Sequence, residues 1–598
     1  MGPLSRLNSY YWTYRHLFIP GLLFAVISSV FAMIVPTVVR RAIDAIPQFV
    51  VTWNAVRGTP VESLVYWDLF STLAFMGVAI VGLSILSGIF SFLMRQTVVV
   101  ASRHIEFDLR NRLYDHLQRL SSGFYMTHPT GDLITRSTSD IEQVRRYIGP
   151  AIMYTTRAVV TIGTALTVMF VISPKLTLYA LIPMPFLGLS VFLVARMVHV
   201  RSDRLQAQYS VLSSRVQEAL AGIRVVKAYA SEAVEEERFK RESAAYRERS
   251  LDLARVEAAW RPVFVFLVGL SSIFVVWKGG ALVIEGSISL GNIAEYMIYV
   301  ALMTWPVASM GFVITMVQRA SASMTRLGDV FDAEPEIAGP LQPGDTRVRG
   351  EITFEHVSYR YPDTDQTVLD GISLHIPAGT TVAIVGRTGS GKTTLMELIP
   401  RLVDPVAGRV LVDGRDVREW PLEALRAGIG YVPQDVFLFS DTVGNNIRFG
   451  RMDADQEALR EAVLDADLAD AVEAFPKKYE TFVGERGITL SGGQKQRVSL
   501  ARALIREAPI LLLDDALSAV DTGTERAILE RLQRHYGRRT VVLVTHRVSA
   551  AQSADQILVL DEGAIVERGT HAQLEAAGGF YAALCRKQQL EAELEAMA

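Results

Sequence analysis

Six stretches of the chain stay apolar for roughly 20 residues or more, near 17–39, 69–94, 151–172, 176–198, 262–284 and 293–317. A segment in hydrocarbon must satisfy its own backbone hydrogen bonds, so runs of this length predict six membrane-crossing helices. Prolines at Pro36, Pro150, Pro183, Pro185, Pro262 and Pro306 lie in or beside them, which neighbouring helices can accommodate in a bilayer. Arg6 and Arg15 precede the first run. That run is too long for a signal-peptide core and lacks a small-residue cleavage site, so it reads as a retained span.

The connections set the orientation. Residues 95–146 carry Arg95, Arg103, Arg110, Arg112, Arg119, Arg136, Arg145 and Arg146, and residues 196–261 form a second long Arg/Glu-rich segment. The links Ser173-Pro174-Lys175 and Gly286 to Asn292 are short and nearly uncharged. Basic loops stay in the cytoplasm, which places both termini there in a multi-pass protein of the cell membrane. Arg157 and Glu295 fall inside apolar spans, where a charge either lines a polar cavity or snorkels to an interface. Snorkelling is the favoured expectation for both.

A chain of 598 residues exceeds one core. The expected organisation is a six-helix membrane domain over 1–325, a Pro/Gly-bearing linker over 326–349 with Pro335, Pro340 and Pro343-Gly344, and an α/β domain over 350–598. The apolar runs bring hydrophobic residues to 50% and mean hydropathy to +0.25. A net charge of −3 provides no basic field for nucleic acid, and the single cysteine, Cys585, excludes an internal disulfide or a cysteine metal cluster.

The second half is built around Gly386-Arg387-Thr388-Gly389-Ser390-Gly391-Lys392-Thr393, a G-x-x-x-x-G-K-[ST] phosphate loop. The β-branched run Thr381–Val385 before it reads as a buried strand, and Thr394–Ile399 after it as a helix start. The glycines let the backbone wrap a phosphate, and the loop amides and helix N-terminus supply donors. Lys392 would reach the β- and γ-phosphates of ATP, and the Thr393 hydroxyl would bind Mg²⁺.

Further motifs follow in order. Ile352–Pro362 is a strand ending in aromatics. Val410–Gly414 is a hairpin strand and its turn. Ile429-Gly430-Tyr431-Val432-Pro433-Gln434-Asp435 is a strand running into a polar turn. Leu490-Ser491-Gly492-Gly493-Gln494 precedes a helix expected to begin near Lys495. Ile510–Asp515 is a buried strand ending in two carboxylates, and Thr540–His546 one ending in histidine. Asp514 can hold Mg²⁺ directly or through water, Asp515 can orient or deprotonate the attacking water, and His546 can bond a γ-phosphate oxygen. Ser491, Gly492 and Gly493 form a second phosphate nest. It cannot easily serve the phosphate already held by the first, so it points to another ATP across an interface.

In this order, behind six spans, the set resembles the ATP-binding cassette (ABC) transporters, specifically half-size exporters. The resemblance implies that Tyr361 stacks on adenine and that Gly386–Thr393, continued by Thr394, is the Walker A loop. It makes Gln434 the Q-loop glutamine near Mg²⁺ and Asp514 the Walker B aspartate. Ser491–Gln494 become signature residues, Ser518–Asp521 the D-loop, His546 the switch histidine and Thr481–Gly487 the X-loop. The stretches 123–133 and 218–229 match segments flanking the coupling helices, which dock spans onto cassettes. ATP and Mg²⁺ are the implied cofactors. The partners are a second half-exporter, the bilayer and a hydrophobic or amphipathic substrate such as a drug, lipid or peptide.

One position departs from the pattern. The family carries glutamate after the Walker B aspartate, and Asp515 stands there. Its carboxylate is drawn back by roughly 1.5 Å, and a misplacement of about 1 Å can cost on the order of 100-fold in rate. This resembles the degenerate subunit of heterodimeric exporters, favoured here over a homodimer with a slower base. The rival readings are a soluble ATPase, opposed by six spans, and an ATP-gated channel or regulatory subunit. Without a peptidase-like N-terminal extension, no leader-processing exporter is expected.

Overall fold

The computed structural model describes residues 2–339, 347–362, 364–533 and 537–597. Pro340 and Pro343-Gly344 of the expected linker lie outside the described residues. The chain divides into two compact units, Met1–Gln118 with Thr130–Ala333, and Arg119–Pro129 with Glu334–Ala598.

Among the described residues, the first unit contains six helices long and apolar enough to cross a membrane: α1 (Arg15–Val56), α2 (Glu62–Arg119), α3 (Thr130–Ile172), α4 (Pro174–Ala221), α5 (Glu232–Ile284) and α6 (Leu290–Phe331). They outrun the apolar stretches. The 58 residues of α2 span about 87 Å at 1.5 Å each, against about 30 Å of hydrocarbon. Polar chemistry holds the polar lengths. Gln208 of α4 is buried and donates to Glu242 of α5 at 2.6 Å, and Arg201 pairs with Asp252 at 2.9 Å. Along α5, Glu235–Arg238 and Glu236–Lys240 pair at 2.7 Å each, the spacing that supports an exposed helix. Helix α3 is interrupted by two π-helical stretches, Arg136–Asp140 and Tyr147–Ala151, the second holding Pro150. The first turns Asp140 inward, where it is buried and accepts from Ser323 at 2.8 Å and from Arg326 Nε at 2.9 Å, both on α6.

Glu295 corrects the snorkelling expectation. Its side chain is fully buried. It accepts from Thr37 at 2.8 Å and Tyr299 at 3.3 Å, and faces Arg40 Nε at 3.3 Å. One turn away, Asp44 of α1 accepts from Ser289 at 2.6 Å and from the Gly291 amide at 2.7 Å, closing the N-terminus of α6. An unpartnered carboxylate at this depth is costly, and the α1 side chains supply its partners. Sequence spacing says nothing of which helix lies opposite. Arg157 is exposed.

In the second unit an antiparallel sheet is ordered β2–β1–β4–β5, from β1 (Ile352–Arg360), β2 (Thr367–Ile376), β4 (Ala407–Val412) and β5 (Arg415–Asp416). A second sheet is ordered β10–β9–β3–β8–β7–β6, from β3 (Thr381–Gly386), β6 (Ile429–Val432), β7 (Ile510–Asp514), β8 (Thr540–Val544), β9 (Gln556–Asp561) and β10 (Ala564–Gly569). All its pairings are parallel except β9–β10. Every residue of β3, β7 and β8 is buried, as expected of parallel strands covered on both faces. The segment Arg119–Pro129, with its short helix Ser122–Thr127, belongs to this unit. Ser122 donates to the Leu402 carbonyl at 2.5 Å, and Ser121 accepts from the Ile337 amide at 2.9 Å. The expected linker from 326 begins inside α6, which continues to Phe331.

Removing Glu295 leaves Thr37 without its acceptor and Arg40, 30% exposed, without its partner, a loss smaller than the roughly 3–5 kcal/mol of a fully buried pair. Glu295→Ala is therefore expected to lower Tm in detergent clearly, and Glu295→Gln, which keeps an acceptor for Thr37, to lower it less. An unchanged Tm for Glu295→Ala would show that the network does not hold α1 to α6.

Candidate functional site

The site forms where β3, β8 and β7 end side by side. Ile384 pairs with Val544, and Val544 with Asp514, so the residues after each strand emerge at one edge. A crevice outside the carboxyl ends of parallel strands is the usual ligand position in such sheets. Here it is a cavity of about 790 Å³ lined by Tyr361, the loop Arg387–Thr394, Gln434, Asp514, Asp515 and His546.

The loop closes onto helix α7 (Lys392–Leu398). Gly391 takes φ +97°, and a Cβ there would lie 2.8 Å from the Val368 carbonyl oxygen and from Leu369. Only glycine fits this approach to β2. The Lys392 ammonium is nearly buried and donates to the carbonyls of Gly386 at 3.0 Å and Arg387 at 2.6 Å. Burial holds its pKa below the ordinary lysine value, opposed by Asp514 and Asp515. Tyr361 meets Thr394 hydroxyl to hydroxyl at 3.0 Å, its ring edge-on to Tyr359 with centroids 5.1 Å apart.

Asp514 is 1% exposed, and its Oδ2 is buried without a hydrogen-bond partner. Burial raises its carboxyl above the usual range, with Asp515 adding to the rise and Thr393, Lys392 and His546 opposing it. An orphaned carboxylate oxygen beside the Thr393 hydroxyl, with the Gln434 amide lining the same cavity, fits a hard cation that takes oxygen ligands and keeps waters and phosphates as the rest. No cluster of three or more His, Cys, Asp or Glu suited to a metal occurs among the described residues. Asp515 is half-buried with φ +48°, a region aspartate tolerates better than most residues. Its amide donates to the Val544 carbonyl at 3.0 Å.

Ser491, Gly492, Gly493 and Gln494 do not line this cavity. The helix α8 begins at Gly492 and not near Lys495, running to Leu504. A capping box moves its start. Gln494 Oε1 accepts from the Ser491 amide at 2.9 Å and Ser491 Oγ from the Gln494 amide at 3.3 Å. Ser491 and Gly492 are exposed.

Sequence reasoning missed the residues that tie these parts together. Buried Gln496 of α8 donates to Ser518 Oγ at 2.9 Å and accepts from the Ala519 amide at 2.8 Å. Arg547, next to His546, donates to the carbonyls of Ser518 and Val520 at 3.1 Å each and pairs with buried Glu525. No spacing rule announces them. The available signal is a polar residue at a buried helical position.

Six long apolar helices followed by a phosphate-loop domain define a membrane-embedded P-loop protein. Residues 17–307 match the ABC transporter transmembrane region and residues 369–518 the ABC transporter family. The chain is 38% identical over 483 residues to a probable multidrug resistance ABC transporter ATP-binding/permease protein of Bacillus subtilis, covering 81% of this chain and 83% of that one. It is 36% identical over 515 residues to an ATP-dependent lipid A-core flippase of Chromohalobacter salexigens, covering 86% and 89%. A solved bacterial Atm1-family ABC exporter with ATP bound superposes with a TM-score of 0.76 at 26% identity, covering 96% of this chain and 98% of that one. The chain belongs to the ABC transporter family, as a half-size exporter with one membrane domain and one ATP-binding domain.

Tyr361→Ala is expected to weaken ATP binding by about 1–3 kcal/mol, the size of one base–aromatic stack. Unchanged nucleotide affinity by equilibrium binding would remove Tyr361 from the adenine site.

Proposed function

We propose that the chain is one half of an ATP-driven exporter that moves a hydrophobic or amphipathic molecule across the cell membrane by alternating access. The observation that carries this reading is the separation of the two phosphate nests. One lines the cavity, and the other sits exposed on α8, out of that cavity's reach. Each ATP would lie on one chain's Walker loop under another chain's Ser491–Gln494, so closure of two cassettes would require two nucleotides. The names of the multidrug and lipid A-core relatives favour a large amphipathic cargo.

In this reading Lys392 and the loop amides bind the β- and γ-phosphates, and Tyr361 orients the adenine. Thr393, Asp514 and Gln434 would hold Mg²⁺, which offsets charge on the phosphate oxygens. The Asp515 carboxylate accepts a proton from the water that attacks the γ-phosphorus, the bond from that phosphorus to the β,γ-bridging oxygen breaks with ADP as the leaving group, and His546 donates to a γ-oxygen. The helix tip near 218–229 exposes Leu220 (65%), Val225 (61%) and Tyr229 (79%). Apolar surface of that kind, on the cytoplasmic side, suits docking against the second chain's cassette.

Asp515 favours a heterodimer in which this chain's own site turns over slowly and its signature completes the partner's faster site. Steady-state ATPase at saturating Mg-ATP tests this. Asp515→Ala should reduce turnover modestly, and Asp515→Glu should raise it. Ser491→Arg should remove nearly all of it, because the arginine fills the partner's γ-phosphate nest. In a homodimer Asp515→Ala would be as damaging as Ser491→Arg, and an active complex of this chain alone would exclude the heterodimer.

A further inference from the structure

We propose that Gln588, on the C-terminal helix, is a positioning residue that sets His546 in the ATP site. The inference rests on the reading of His546 given above. No side-chain hydrogen bond from the described residues fixes the His546 imidazole, which is exposed at the cavity wall. Its place is therefore set by its backbone, and Gln588 grips that backbone at two points. Gln588 Nε2 donates to the His546 carbonyl at 2.6 Å, and Oε1 accepts from the Val548 amide at 2.8 Å. A planar amide bonded on both edges fixes the strand-to-helix turn between them in orientation as well as distance.

The helix that carries Gln588 is itself anchored. Helix α9 (Phe580–Met597) starts against Glu567, whose carboxylate accepts from the amides of Phe580 at 2.5 Å and Tyr581 at 3.2 Å. Tyr581 and Cys585 are buried against Ala383 and Val385 of β3 and Ile557 and Val559 of β9. Residues 581, 585 and 588 follow the i, i+4, i+7 spacing of one helical face. A polar residue thus occupies the next place on an apolar stripe, over the turn that holds His546. At the other end of the helix, Phe580 lies under the Arg387 guanidinium of the phosphate loop at 5.8 Å. The helix touches both walls of the nucleotide cavity, and Gln588 is its contact with the histidine wall.

The test uses the full-length assembled complex in lipid nanodiscs, carrying Asp515→Glu so that this chain's site contributes measurably. Gln588→Met keeps length and removes both bonds, and Gln588→Glu keeps only the acceptor. Each is expected to cut the turnover added by Asp515→Glu on the order of 10-fold, with the KM for ATP within about twofold and Tm unchanged. Gln589→Ala, on an exposed neighbour, should change nothing. In a His546→Ala background Gln588→Met should cost nothing further, because both act through one group. Retention of the added turnover in Gln588→Met, or an equal further loss in the His546→Ala background, overturns the proposal. If His546→Ala itself retains the added turnover, the site reading fails and the proposal with it.

Discussion

The hydrogen-bonded ladder of β3, β8 and β7 is what the rest of the cassette depends on. Parallel pairing of Ile384 with Val544 and of Val544 with Asp514 makes β8 and β7 end level, with β3 running on beside them to Gly386. Their following residues, the phosphate loop, His546 and Asp515, then have nowhere to go but one crevice. Register enforces this, since a slip of one residue in β7 would turn Asp514 to the opposite face. The low-dielectric surroundings that make Asp514 costly to charge also make it attract a cation strongly.

From that edge a chain of polar contacts runs away from the cavity. Gln496 links α8 to Ser518 and Ala519, and Arg547 links the same segment to Glu525 and the His546 turn. The exposed Ser491 nest and the cavity's histidine therefore share one intervening segment, Ser518–Val520. Networks of this kind respond as a unit, and pairwise deletions do not add.

Much of this was legible in the sequence for a physical reason. The bilayer's demand on the backbone and the phosphate loop's demand for glycine are local constraints, so the six spans and the Gly386–Thr393 loop could be read from consecutive residues. Asp514 was legible because an acid ending an apolar strand is unusual wherever it occurs. What escaped was set by tertiary neighbours. Glu295 reads as a stray charge until Thr37 and Arg40 are placed opposite it. The start of α8 was misplaced because two glycines argue against a helix, while the Ser491–Gln494 capping box, present in the same letters, argues for one and prevails. Gln496, Arg547 and Gln588 carry no motif of their own, and only their partners give them meaning.

Asp515 joins these threads. Its backbone sits at φ +48°, held on one side by the Val544 carbonyl and on the other by Ser518, which donates to the Asp515 carbonyl at 2.9 Å. The backbone is thus bonded to β8 and to the Ser518 segment together, and it carries a side chain one methylene shorter than glutamate. A chain that keeps the buried Asp514 and the Gly386–Thr393 loop, yet carries aspartate at 515, has the pattern on which the proposal of two unequal sites rests.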